Sequence, residues 1–274
     1  MALQAPAGFA AYSEGGHHWI VRNDLAAALR PLMAQPFAQL ARTPGARPMP
    51  GGRAGPLTIH SPRADEELLI RPYARGGWLG DLLGRTRVGP DRPRQELAVT
   101  MRARDAGLPV PEPVGITADC RRAGFTHQWT FESWSVLIRG ARPLPGLLRE
   151  AGPSVLPAIA TALRRCMDGG LWHPDLNSRN IIAGQEGAWR AWVVDLDRTR
   201  FLPPLNARQR LALLKRLHRS LAKEGVSPVP VGDREFSILV NACLGEPLQE
   251  RDMVRFLASC RRSVFWHSLL WRRS

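Results

Sequence analysis

Apolar and polar positions follow two different periods along this chain, and the change from one to the other divides it. From Ala41 to Gly55 the sequence ARTPGARPMPGGRAG is dense in glycine and proline and reads as loop. LTIH at Leu57–His60 then predicts a short strand. After a polar turn, LLIRPY has the bounded apolar character of a second strand. Residues 91–106 carry helical spacing: Leu97 and Met101 share a face, Asp91 can serve as N-cap, Pro93 falls in the first turn and Gly107 supplies the stop. The prolines at alternate positions of LPVPEPVG forbid both helix and central strand, so that stretch is extended. Between Val114 and Arg139, PVGIT, FTHQWTF and SWSVLIRG predict three further strand segments.

The period then lengthens. Residues 153–168 place Leu156, Ile159, Leu163 and Met167 on one side of a helix that ends at Gly169-Gly170. A strand at Trp192–Val194 follows. A second amphipathic helix runs from about Asn206 to Lys223, with Leu211, Leu214, Leu217 and Leu221 as its apolar stripe, a basic face read as solvated, and Gly225 at its end. Strands followed by helices predict an α+β fold of two lobes, strand-rich over 1–139 and helical over 140–274, joined near Arg139–Pro145.

Composition narrows the function classes. The chain has 274 residues, enough for two lobes with real cores. No apolar stretch is long enough to cross a bilayer, and the first residues lack the charged and apolar regions of a secretory signal. Lysine and arginine number 38 against 24 acidic residues, a net charge of +14, and all but Lys215 and Lys223 are arginine. Such a surface attracts polyanions in general. Nucleic acid is not expected, because no zinc-finger, helix-turn-helix or RNA-recognition pattern accompanies the charge. The four cysteines, Cys120, Cys166, Cys243 and Cys260, have no metal-ligand spacing and read as reduced structural filler.

The sharpest chemical signal is His173-Pro174-Asp175-Leu176-Asn177-Ser178-Arg179-Asn180, followed by Val194-Asp195-Leu196-Asp197. Phosphoryl transfer requires an oriented hydroxyl, a carboxylate to take its proton, and a divalent cation on hard oxygen ligands. Asp175 and Asn180, spaced on one loop, can supply the base and a metal ligand, and Asp195 at the end of the next strand can complete the metal site. The plainer reading is that Asp175 and Asn180 cap a turn. The order of residues resembles the protein-kinase-like catalytic loop H-R-D-x-x-x-x-N and the D-F-G that follows it, with Pro174 replacing the arginine and Leu196-Asp197 replacing Phe-Gly. The role of Asp197 stays open, and His173 reads as a tether of the loop. No lysine precedes Lys215, so the phosphate-holding cation expected on an N-lobe strand falls to Arg71, with Glu96 on the following helix as its partner. Unless Arg71 and Glu96 meet, they are surface residues. Pro50–Gly55 supplies a glycine-rich loop whose Gly51, Gly52 and Gly55 could approach phosphates, although a linker would look the same.

The chain is similar to bacterial lipopolysaccharide-core kinases, specifically the 3-deoxy-D-manno-octulosonic acid (Kdo) kinases. The resemblance lies in R-P-Y-A-R-G-G at Arg71–Gly77, G-L-P-V-P-E-P-V at Gly107–Val114, H-P-D-L-N-S-R-N-I-I at His173–Ile182 and V-V-D-L-D-R at Val193–Arg198. It implies a two-lobed protein-kinase-like fold with ATP and Mg²⁺ between the lobes. It also implies phosphorylation of a Kdo hydroxyl on a lipid A precursor, cytoplasmic and peripheral on the inner membrane, with no protein partner expected. A heptose or small-molecule kinase, or a catalytically silent scaffold binding anionic lipid, are the alternatives. The C-terminal RRSVFWHSLLWRRS, aromatic with flanking arginines, is read either as a helix packing on the second lobe or as a segment docking on membrane.

Overall fold

The structure, a computed structural model, describes residues 4–49, 55–62, 66–73, 91–123 and 126–271. It divides into two compact units, the first comprising 1–101 and 111–137 and the second 102–110 and 138–274.

The first unit is built on one antiparallel sheet. Its strands are β1 (Phe9–Glu14), β2 (His17–Arg22), β3 (Arg47–Pro48), β4 (Leu57–His60), β5 (Glu67–Pro72), β6 (Pro113–Ala123) and β7 (Thr126–Val136), in spatial order β1-β2-β6-β7-β5-β4-β3. Helices α1 (Ala26–Met33), α2 (Phe37–Leu40) and α3 (Asp91–Asp105) accompany it. Alternation in β2 sends Trp19 and Val21 to a core shared with Leu29 and Met33 of α1. Ile20 goes instead to a core containing Leu97 of α3, Ile116 and Phe131. Both faces are therefore covered. A bulge between Pro113 and Gly115 switches the side on which β6 residues fall, so Val114 joins the first core and Ile116 and Ala118 the second.

The helix over 91–106 is present as α3, with Asp91 inside its first turn rather than ahead of it. Its end is a Schellman arrangement: Leu108 N–H donates to Ala103 O (2.9 Å) and Gly107 N–H to Arg104 O (2.8 Å), with Gly107 at φ +66°. The expected break between the segments FTHQWTF and SWSV is absent: Thr126–Val136 is one strand, β7, and Phe125 lies outside the described residues. Glu132, which read as a boundary, and Ser133 after it continue the ladder opposite Thr117 and Ile116. Glu132 is buried there and accepts a hydrogen bond from Thr117 Oγ1 (2.7 Å), which itself accepts one from Trp134 Nε1 (3.1 Å).

The second unit carries helices α4 (Leu144–Ala151), α5 (Leu156–Asp168), α6 (Ala207–Lys223), α7 (Asp233–Leu244) and α8 (Glu250–Trp271). Two small antiparallel sheets complete it: β8 (Arg142–Pro143) with β10 (Ile181–Glu186) and β11 (Ala188–Val193), and β9 (Leu171–Trp172) with β12 (Arg200–Phe201). The α5 stripe Leu156, Ile159, Leu163 and Met167 is buried as the spacing predicts. Asn206 caps α6 through a reciprocal pair of bonds with Gln209, each 3.0 Å. The buried stripe of α6 is Leu213, Leu214, Leu217 and Leu221; Leu211 is only partly covered.

The basic face of α6 is not uniformly solvated. Arg210 is buried and donates to Leu205 O (2.7 Å), Cys243 O (2.8 Å) and Asp168 Oδ1 (2.6 Å). Helical periodicity alone assigns an arginine to water; three acceptors arriving from elsewhere in the fold reverse that assignment. Cys166, Cys243 and Cys260 are buried, and burial pushes the first two thiols up to about 12 and the third to about 11, as inert filler requires.

A Cβ at Gly115 would lie 2.1 Å from Ile20 O and 2.9 Å from Met33 Cε. Gly115→Ala is therefore expected to force β2 and β6 apart and to destabilise the sheet by about 1–3 kcal/mol. Urea unfolding followed by tryptophan fluorescence, which Trp19 and Trp134 report from the core, measures the loss.

Candidate active site

The catalytic-loop segment is shaped by its polar residues, with the cap at Asn177 rather than at Asp175 or Asn180. Asn177, in extended conformation, caps the short turn Ser178–Asn180, its Oδ1 accepting from the backbone N–H groups of Arg179 (2.9 Å) and Asn180 (3.1 Å). Asn177 Nδ2 and Asn180 Nδ2 both donate to the carbonyl of Asp175, at 2.9 and 3.1 Å. Asn180 spends its amide nitrogen on the loop, so its carbonyl oxygen is the part left to coordinate. Ser178 is fixed to α6, its backbone N–H donating to Ser220 Oγ at 3.0 Å.

Two hydrogen bonds tie this loop to the end of β11. Val194 N–H donates to Asn180 O at 2.9 Å, and His173 Nε2 donates to Val194 O at 3.2 Å. The tautomer follows from the second bond, since a carbonyl can only accept. Burial lowers the His173 pKa, outweighing the hydrogen bond to Val194 and the nearby charges of Asp195 and Asp175, so the imidazole is held neutral. Its Nδ1 is buried with no partner among the described residues.

Asp195, directly after Val194, has φ +65° and is the non-glycine residue in the left-handed region among the described residues. Such a conformation costs about 1–2 kcal/mol and persists only where the surroundings enforce it. Here the pinned Val194 does so. The loop carrying Asp175 and Asn180 is thus tied to the turn carrying Asp195 within the second unit, and Leu196 and Asp197, next along the chain, are buried.

The carboxylate of Asp175 is held by two arginines. Arg216 Nη2 of α6 donates to Oδ1 at 2.5 Å, and Arg198 Nη1 stands 3.5 Å from Oδ2. Sequence reasoning missed Arg216, the signal being a charge on a face that looked solvated. Arg198 lay within the V-V-D-L-D-R motif but had no role assigned.

Arg71 and Glu96 meet within the first unit. Arg71 Nη2 donates to Glu96 Oε1 at 3.0 Å, and Tyr73 Oη donates to Glu96 Oε2. Glu96 is buried, while the Arg71 side chain keeps 35% of its surface in solvent. Tyr73 is a further residue the sequence reading passed over; its place two positions after Arg71, on the same side of an extended chain, was the available clue. Gly55 has φ +58° and open space around a notional Cβ, whereas Gly51 and Gly52 lie outside the described residues.

Removing the loop's cap tests its importance. Asn177→Ala deletes two accepted bonds and one donated bond, and is expected to cost about 0.5–2 kcal/mol of stability. Hydrogen exchange at Arg179 and Asn180 should quicken more than exchange in α5.

Residues 58–258 match the lipopolysaccharide kinase (Kdo/WaaP) family. Among curated proteins, 3-deoxy-D-manno-octulosonic acid kinase of Mannheimia succiniciproducens is 32% identical over 162 residues, covering 57% of this chain and 65% of the relative. The enzyme of the same name from Vibrio cholerae is 30% identical over 161 residues, with the same two shares. The matches therefore span just under two thirds of the length of these relatives. That of Xanthomonas oryzae pv. oryzae is 29% identical over 230 residues, covering 81% of this chain and 88% of the relative. A solved structure described as WaaP in complex with acyl carrier protein shares the fold, with a TM-score of 0.54 and 17% identity over 90% of this chain and 97% of that one. The architecture is accordingly a two-lobed, kinase-like α+β fold. With the Asp175 loop, the Asp195 turn and the Arg71–Glu96 pair falling inside the matched span, the chain belongs to the lipopolysaccharide kinase (Kdo/WaaP) family, a family of ATP-dependent phosphotransferases.

Proposed function

We propose that this protein transfers a phosphoryl group from ATP, with Mg²⁺, to a hydroxyl of Kdo on a lipid A precursor at the cytoplasmic face of the bacterial inner membrane. The observation that carries this reading is the lashed pair of segments that gathers Asp175, Asn180 and Asp195 inside a lipopolysaccharide kinase family match.

In this reading Asp175 accepts the proton of the acceptor hydroxyl, its carboxylate oriented by Arg216 and Arg198. Asn180 Oδ1 and the Asp195 carboxylate are the Mg²⁺ ligands. They are hard oxygen donors, which suit that ion. Among the described residues no group of three His, Cys, Asp or Glu side chains could hold a metal. Two protein oxygens nevertheless fit a cation that keeps waters and phosphate oxygens in its shell. Bound Mg-ATP supplies the γ-phosphoryl group and the neutralisation of its charge. Arg71 takes the place of a phosphate-binding lysine, anchored on Glu96, whose other oxygen Tyr73 holds, and its planar fork suits phosphate oxygens. Gly51, Gly52 and Gly55 keep the nucleotide-phosphate role inferred from sequence.

Attachment to an anionic membrane surface is supported by α8. Phe265, Trp266 and Leu269 are 59%, 67% and 47% exposed, and exposed Arg261 and Arg262 share their side of the helix one turn earlier. Aromatic rings at headgroup level with arginines on anionic lipid suit an interfacial helix. No described helix is long and apolar enough to cross a membrane, so the attachment proposed is peripheral.

Asp175→Asn should lower kcat by roughly 10²–10⁴-fold, the range for a positioned base. Mass spectrometry of Kdo-bearing lipid A precursor incubated with Mg-ATP checks this, and near-native turnover would rule out Asp175 as the base. Phe265→Ala combined with Trp266→Ala should weaken co-sedimentation with vesicles containing phosphatidylglycerol while sparing turnover of a detergent-dispersed acceptor.

A further inference from the structure

On α6, one helical turn beyond the arginine that holds Asp175, a second cation stands without an acidic partner among the described residues. Arg219 Nη1 contacts His267 Nε2 at 2.9 Å and Ser263 Oγ at 3.4 Å, both on α8. Neither is a carboxylate, and no salt bridge to Arg219 exists among the described residues. Arg216 lies on the same face three residues earlier, with a single one of its donors engaged by Asp175. Burial and the neighbouring charge of Arg216 both lower the Arg219 pKa, and burial with Arg219 and Arg216 lowers that of His267. Two guanidinium groups thus stand within electrostatic reach of each other, Arg216 on the carboxylate of the proposed base and Arg219 donating to the neutral imidazole of His267, and among the described residues Asp175 is the carboxylate that pairs with either. Like charges placed this closely repel unless an anion joins them.

We propose that Arg216, Arg219 and His267 form a seat for an anionic oxygen group of the acceptor, a carboxylate or a phosphate, which sets the acceptor's register against Asp175. This rests on the kinase reading above and adds to it the part of the acceptor that the second unit recognises. The seat has a charge-assisted donor set suited to either group. Its position on α6 also makes one helix serve two purposes. Arg216 orients the base and Arg219 holds the molecule on which that base acts, at the distance of one helical turn.

The test compares wild type with Arg219→Ala and Arg219→Lys, using the full chain. Arg219→Ala should raise KM for the Kdo-lipid A acceptor on the order of 10- to 100-fold, the range for losing charge-assisted hydrogen bonds, with KM for ATP unchanged within about twofold. Arg219→Lys should recover part of the loss. Repeating the comparison with acceptor whose Kdo carboxylate is esterified, and with acceptor lacking the lipid A phosphates, identifies the seated group as the one whose removal abolishes the difference between wild type and Arg219→Ala. A folded Arg219→Ala with unchanged acceptor KM overturns the proposal, as does a difference that survives both modified acceptors, since the side chain would then act only on the packing of α8. If wild type fails to phosphorylate this acceptor at all, the kinase reading on Kdo falls, and the seat is judged by calorimetric titration with free Kdo and with inorganic phosphate. Binding lost in Arg219→Ala supports it, and equal or absent binding in both proteins overturns it.

Discussion

Whether this chain can act on a phosphoryl group depends on how firmly Val194 is held. Its N–H is taken by the carbonyl of Asn180 and its carbonyl by the imidazole of His173, so the residue before Asp195 has both peptide groups engaged with the Asp175 loop. Each such bond is worth about 1 kcal/mol net, which together is comparable to the cost of the left-handed turn at Asp195. Asp195 alone could relax. With Val194 pinned, its carboxylate keeps a fixed relation to the amide of Asn180. Burial keeps His173 neutral, which leaves the ring with a single donor and directs it to one acceptor.

Arginine carries nearly all the positive charge, and this shapes every other part of the candidate site. A lysine at position 71 would present a point charge that Glu96 could hold alone. The guanidinium is planar, and Glu96 offers one oxygen to it while Tyr73 takes the other, so the carboxylate is satisfied and aligned without enclosing the cation. In the second unit the same chemistry runs in two directions. Arg210 is drawn inward by carbonyls and Asp168, whereas Arg216 is turned toward Asp175 and Arg219 toward α8. Three arginines on one helix have three different surroundings, none of which their residue type determines.

Much of the architecture was legible because it rests on short-range rules. The stops at Gly107 and Gly169-Gly170, the start of α6 near Asn206 and the buried stripe of α5 all follow from local backbone and hydrophobic requirements. The Asp175 loop was legible as a motif because the Asp175–Asn180 spacing is contained in a few consecutive residues, although the cap that shapes it is Asn177, which had no role in the sequence reading. The continuity of β7 was not, because Glu132 resembles a boundary until a buried Thr117 on the neighbouring strand β6, itself held by Trp134 of β7, donates to it. Nor was the face-switch of β6, which depends on a bulge at Gly115 and on how closely Ile20 approaches.

The amino-acid sequence by itself determined the α3, α5 and α6 helices with their stops, the strand character around Leu57–Pro72 and Val114–Val136, and which oxygen-bearing side chains could serve phosphoryl chemistry, because each of these depends on neighbours a few positions away. The tertiary structure alone decided which charges meet. That Glu96 receives both Arg71 and Tyr73, that Asp175 is held by Arg216 and Arg198, and that Arg219 faces histidine rather than a carboxylate are outcomes of packing between distant segments. Electrostatic partnership is fixed by separation in space, and no local pattern encodes that separation.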